Sequence, residues 1–98
     1  METSNLIMLE ELCSLHNIEL EFINSLSEFG LIEVLEHQEN KYVAHHQLKD
    51  LEKMIQFHYE LNINIEGIDV IANLLNQITS LQAELNVTKN KLRMYEQE

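Results

Sequence analysis

Proline and tryptophan are absent from this chain of 98 residues, and there are only two glycines and one cysteine. With no proline and no low-complexity tract, nothing in the composition marks a linker between independent domains, so a single compact domain is expected. Gly30 and Gly67 are too far apart to build a phosphate-cradling loop. The lone thiol, Cys13, cannot form an internal disulfide. Lying between Leu12 and Leu15 in a helical spacing, it reads as a small buried hydrophobe. No apolar run approaches the ~20 residues of a membrane-spanning helix. Met1 to Asn5 has neither a basic start nor an apolar run, so no secretory signal is expected and the expected location is the cytoplasm.

Positive charge is missing from the whole first part. Residues 1–40 contain nine glutamates and no Lys or Arg, whereas the last ten residues carry Lys89, Lys91 and Arg93 against two acids. The formal net charge is −11. Such a field repels nucleic-acid phosphates and anionic membrane surfaces and attracts basic proteins. An apolar content of 45% nevertheless argues for a folded chain.

Apolar spacing then predicts a mainly helical fold. Leu9, Leu12, Cys13 and Leu15, three and four apart, predict a short helix that His16-Asn17 interrupts, Asn tolerating a left-handed turn. Leu20, Ile23, Leu26 and Phe29 turned inward predict a second helix, which Gly30 ends. Two short helices joined by a tight turn make a helix-turn-helix-sized unit. Leu31 to Gln38 and Lys41 to Val43 flank Glu39-Asn40 and predict a small hairpin or wing. A third helix is predicted from about His45 to Leu61. Its apolar set is broad, with Leu48, Leu51 and Ile55 on one line and Met54, Phe57 and Leu61 on another. That width implies burial on two sides, or one covered side and one contact surface. Asn62 and Asn64 break it, and a fourth short helix is predicted to start with Asn64 as N-cap and Glu66 in its first turn.

The final stretch has the most regular pattern. Ile71, Leu74, Ile78, Leu81, Leu85, Thr88, Leu92 and Tyr95 alternate in steps of three and four, an unbroken heptad seam. As one helix it would run ~37 Å, too far for the preceding residues to cover. Residues 1–69 are thus expected to form the head and 70–98 a coiled-coil helix. Leu74, Ile78, Leu81, Leu85, Leu92 and Tyr95 are expected to pair two copies into a homodimer. An antiparallel pair would set the basic end near an acidic start.

No catalytic constellation emerges, and neither an enzyme nor a cofactor is expected. The five histidines are His16, His37, His45, His46 and His58. Adjacent His45 and His46 would point different ways on a helix, unlike the i, i+4 pairs that grip zinc.

The order helix, turn, helix ending in Phe29-Gly30-Leu31-Ile32, wing, helix and long coiled coil resembles the MerR-like winged-helix fold of dimeric transcription regulators. Gly30-Leu31-Ile32, Tyr42 and the Leu48–Leu51 helix fall where that family's motif places them. MerR-type DNA readers resemble one another in carrying arginines and a tyrosine in the second helix. This chain has Glu21, Asn24 and Ser25 there, Lys41 as the one base of the wing, and none of the metal-sensing cysteines that some members carry after the long helix. A closer resemblance is to the CbpM chaperone-modulator family within this fold. It rests on Glu11-Leu12-Cys13, on His58-Tyr59-Glu60-Leu61, and on Gly67-Ile68 followed by Val70-Ile71, Leu74-Leu75, Ile78 and Leu81. That resemblance implies a protein that binds the J-domain of a DnaJ-like co-chaperone of the CbpA type and inhibits its stimulation of an Hsp70 chaperone. J-domains present a basic helix to Hsp70, and an acidic competitor for that helix makes electrostatic sense.

The alternative is a MerR-like DNA-binding regulator, favoured by fold and opposed by charge, since phosphate contacts rest chiefly on Lys and Arg. Neither membrane nor nucleic acid is the expected partner. Two partner-binding patches are expected. One is acidic, on the second helix, through Glu19, Glu21 and Glu28 with Phe22 beside them. The other is apolar, on the third helix, through Met54, Phe57 and His58.

Overall fold

Two tight chain reversals organise the head in the computed structural model, which describes residues 5–97. Residues 1–4 and 98, the outer ends of the expected head and tail, lie outside the described residues. Helices α1 (Leu9–His16) and α2 (Leu20–Glu28) meet at Asn17, whose φ is +54°. There the Ile18 N–H donates to the Cys13 carbonyl at 3.0 Å. Gly30, with φ +73°, ends α2 the same way: its N–H donates to the Ser27 carbonyl, and that of Leu31 to the Leu26 carbonyl at 2.9 Å. These paired bonds satisfy helix-end carbonyls that otherwise lack partners. A side chain at position 30 would meet nothing within 4 Å, so glycine is needed there for its backbone freedom alone.

Strands β1 (Leu6–Met8), β2 (Val34–His37) and β3 (Asn40–Ala44) form an antiparallel sheet in the order β1-β3-β2. The sequence does not announce β1, because three residues are too few to display a strand's alternation. The predicted turn at Glu39-Asn40 is corrected by one residue: Gln38-Glu39 are the turn residues, and Asn40 pairs with His37. Register is the physical reason. Fully buried Val43 lies between Ile7 and Val34, both packed on the core, and a one-residue slip would turn it to solvent. In consequence Gln38 and Glu39 both take positive φ, +49° and +68°. This type I′ geometry favours Asn-Gly. Gln38→Asn combined with Glu39→Gly is expected to raise stability by about 1 kcal/mol, or the melting temperature by about 4–8 °C for a domain of this size. Thermal unfolding followed by circular dichroism checks it, and an unchanged or lower midpoint would show that the turn holds no strain.

The third helix predicted from about His45 to Leu61 is three pieces. A 3-10 turn (His45–Gln47) leads into α3 (Leu48–Ile55), which widens into a π turn (Gln56–Glu60). The Gln47 side chain accepts from the Glu33 N–H at 2.8 Å and donates to the Glu33 carbonyl at 3.0 Å, tying the start of α3 to the loop before the wing. After the π turn Asn62 takes φ +57°, and the Ile63 N–H donates to the Phe57 carbonyl.

The last helix, α4 (Ile65–Glu96), is a single rod of 32 residues. Asn64 caps it, accepting from the Gly67 N–H at 2.8 Å, and Glu66 stands in the first turn. The short fourth helix and the coiled-coil helix predicted as successive elements are therefore continuous, and the 69/70 junction falls inside α4.

The core lies in the head. Leu9 and Leu12 of α1, Phe22, Ile23 and Leu26 of α2, Val43, Leu51 and Met54 pack with Ile68, the one α4 residue buried among them. Two residues predicted inward, Leu20 and Phe29, are nearly half exposed, and Leu15, part of the apolar spacing of α1, is 81% exposed. The covered face of α1 is centred on Leu9, Leu12 and His16, and Leu15 projects about 100° round from it. From residue 73 to 97 α4 is exposed on every side. Among the described residues no helix is long and apolar enough to cross a membrane.

Candidate partner-binding surface

On α2 the inward spacing of Phe22, Ile23 and Leu26 leaves Glu21, Asn24, Ser25 and Glu28 facing outward. Glu21 and Glu28 are exposed and about 10 Å apart along the axis. Between this face and the hairpin runs an open groove of about 440 Å³ lined by Asn24, Ser27, Glu28, Val34, Glu36 and Lys41. Glu36 and Lys41 face each other across the β2–β3 ladder. The groove between a helix-turn-helix and its wing is thus edged by two carboxylates against one ammonium, a sign that repels a phosphate backbone.

The other predicted contact residues divide. Glu19 is exposed at the N-cap of α2. Phe22 and Met54, 5% and 7% exposed, are core residues, which corrects their expected place on a contact surface. The steps of four from Ile18, just before α2, to Phe22 and Leu26 set Phe22 on the apolar line. Met54 is one turn from buried Leu51 and faces inward with it. Phe57 is half-buried and lines a groove of about 330 Å³ with Phe29, Asp50, Lys53 and Leu75.

His58 is half-buried and stacks on Phe22, ring centroids 4.6 Å apart and planes 18° apart. Its Nδ1–H donates to the Ile63 carbonyl at 2.9 Å, the one assignment of that proton compatible with a carbonyl partner. Tyr59 stands edge-on to both rings, and its hydroxyl accepts from the Glu19 N–H at 3.1 Å. The π turn, a form that recurs at functional sites, thereby lays two successive residues against the start of α2.

Beside this cluster is a third open groove of about 610 Å³. His16, Asn17 and Ile18 form one wall, and Glu52, Ile55, Gln56, Tyr59 and Glu60 the other. The predicted patches do not include these residues. Of its signals only the run His58-Tyr59-Glu60 was legible; the pairing of α3 with the α1–α2 turn is a tertiary event.

Cys13 is half-buried against the core, and burial pushes its thiol above the usual range, toward an unreactive protonated form. Among the described residues no three of His, Cys, Asp and Glu converge on a position that could hold a metal ion. Along α4, Leu74, Ile78, Leu81, Leu85, Leu92 and Tyr95 are all exposed, while Ile71, at the head, is half-buried.

A family model described as MerR HTH family regulatory protein matches residues 7–90, from β1 to the last quarter of α4. No curated protein and no solved structure matches the chain.

Proposed function

This chain belongs to the MerR HTH family of regulatory proteins, and we propose that within it the protein acts on a protein partner: it is a chaperone modulator of the CbpM type, which binds the J-domain of a DnaJ-like co-chaperone and inhibits its stimulation of Hsp70. The observation that carries this reading is the sign of the helix-turn-helix surface. Glu21 and Glu28 occupy the outward face of α2, Glu36 edges the wing, and no Lys or Arg precedes Lys41. A DNA reader draws much of its affinity from Lys and Arg that neutralise phosphates and release counterions. The acidic field of the whole head, to which this surface contributes, instead attracts a basic helix, the element through which J-domains meet Hsp70.

The protein works as a homodimer through α4. If residue i of one helix lies opposite residue 166 − i of an antiparallel second copy, Ile71 faces Tyr95, Leu74 faces Leu92, Ile78 faces Thr88 and Leu81 faces Leu85. Every seam residue then finds a seam partner, with Ala83 on the two-fold axis. The same register lays Arg93 opposite Asn73, one turn from Asp69, whereas a parallel pair would set Lys89, Lys91 and Arg93 beside their own copies.

The second reading, a DNA-binding transcription regulator, is favoured by the helix-turn-helix and wing themselves. One experiment separates the two. The purified chain is titrated with a purified J-domain and, separately, with labelled duplex DNA at about 0.15 M salt. A saturable complex with the J-domain and no protected duplex site is expected. A footprint at nanomolar protein, with no J-domain complex, would replace the first reading by the second.

A further inference from the structure

We propose that the groove between the α1–α2 turn and the π turn is the docking site for a basic amphipathic helix of the partner, an inference that rests on the protein-binding reading above. Ile18 and half-buried Ile55 give its two walls apolar surface, and Tyr59 in the second wall is 41% exposed. Tyr59 is already held in place, its hydroxyl by the Glu19 N–H and its ring by Phe22 and His58. An aromatic anchor that is ordered before binding loses little conformational freedom on contact, which is the usual character of an interface hot spot.

Charge selects the occupant. Exposed Glu52 and Glu60 stand on the lining, exposed Glu19 is adjacent, and no Lys or Arg contributes to it. Lys53, the base nearest in sequence, lines the opposite flank of α3. Glu52 on α3 and Glu60 at the end of the π turn both line the groove, with Tyr59 beside Glu60. The helix that fits therefore carries Lys or Arg beside an apolar side chain that meets Tyr59. The groove beside the wing includes Lys41 and no aromatic residue. The one beside α4 mixes Asp50 and Asp69 with Lys53. The first therefore lacks an aromatic anchor, and the second, which has Phe29 and Phe57, sets Lys53 among its carboxylates; neither joins an exposed aromatic side chain to a lining free of Lys and Arg.

The test uses the full chain and a purified J-domain in isothermal titration calorimetry. Glu52→Lys with Glu60→Lys is expected to weaken binding by about tenfold or more, while Glu21→Lys with Glu28→Lys changes it by less than about threefold. Addition of the J-domain to isotope-labelled wild-type chain is expected to shift the amide signals of residues 16–20 and 52–60 most. This second measurement stands even if the double variant misfolds. A wild-type chain that binds, with its shifts concentrated at 21–28 and 36–41 or with the groove variant unaffected, overturns the docking site and leaves the J-domain reading intact. A wild-type chain that does not bind removes both. Conversion of the groove variant from dimer to monomer in sedimentation would assign the groove to the second copy and likewise overturn the proposal.

Discussion

Replacing Leu81 and Leu85 together by glutamate is expected to halve the mass measured in sedimentation equilibrium, from twice 11.5 kDa to 11.5 kDa. The two residues are 62% and 52% exposed in the single chain, on a helix whose flanks are polar, so nothing within the chain covers them. In the antiparallel register each Leu81 meets a Leu85, and the two-fold axis repeats the contact, giving a central layer of four leucines. Re-covering a half-exposed leucine contributes about 1 kcal/mol, so the layer contributes about 4 kcal/mol, a factor near a thousand in the dissociation constant. Four carboxylates in that layer add repulsion to the loss. The melting temperature is expected to fall with it and to lose its dependence on protein concentration, because a dimer's stability includes association. A wild-type chain that sediments as a monomer at micromolar concentration would refute pairing through α4. Asn73→Asp, which places a carboxylate opposite Arg93 in this register, is a milder change that leaves the seam whole.

Phe22→Ala is expected to destabilise the head strongly rather than remove a contact with the partner. Phe22 is buried in the core to which Ile23 and Leu26 also belong, and its ring stacks on that of His58. Truncating a buried phenylalanine costs about 3–5 kcal/mol. The whole chain is held by only about 5–15 kcal/mol. The loss also removes the stacking surface of His58, worth about 1 kcal/mol. Urea unfolding at fixed protein concentration should show the midpoint falling by a third or more of its value. Phe22→Leu, which keeps most of the volume but not the stack, should lose much less. A Phe22→Ala protein that melts like the wild type but no longer binds a J-domain would return this residue to the contact surface.

Phe22, expected on the contact surface and found in the core, and Tyr59 show what local spacing holds and where it stops. Both are aromatic residues next to glutamates in predicted helices. The steps of four through Ile18, Phe22 and Leu26 point Phe22 inward. For Tyr59 the local pattern is uninformative, because the helix widens at Gln56–Glu60 and successive side chains leave the 100° spacing on which such patterns depend. Leu15 misleads for a related reason: an eight-residue helix offers two turns of pattern, and one apolar residue off the line is enough to blur it. The strand β1 is invisible because its three residues acquire meaning only when β3 pairs with them.

By itself the sequence determined the features governed by neighbours a few positions away. Asn17 and Gly30 stop helices because left-handed backbone is least costly there, and Asn64 starts one because its side chain reaches an amide three residues on. The heptad seam of α4 and the acidic head are likewise written in spacing and composition. Only the tertiary structure decided which apolar faces are covered, which register the hairpin takes, and which carboxylates share a groove with Tyr59. Those outcomes depend on burial against residues 20 to 40 positions away, and the free energy that selects among them appears only when those distant surfaces meet.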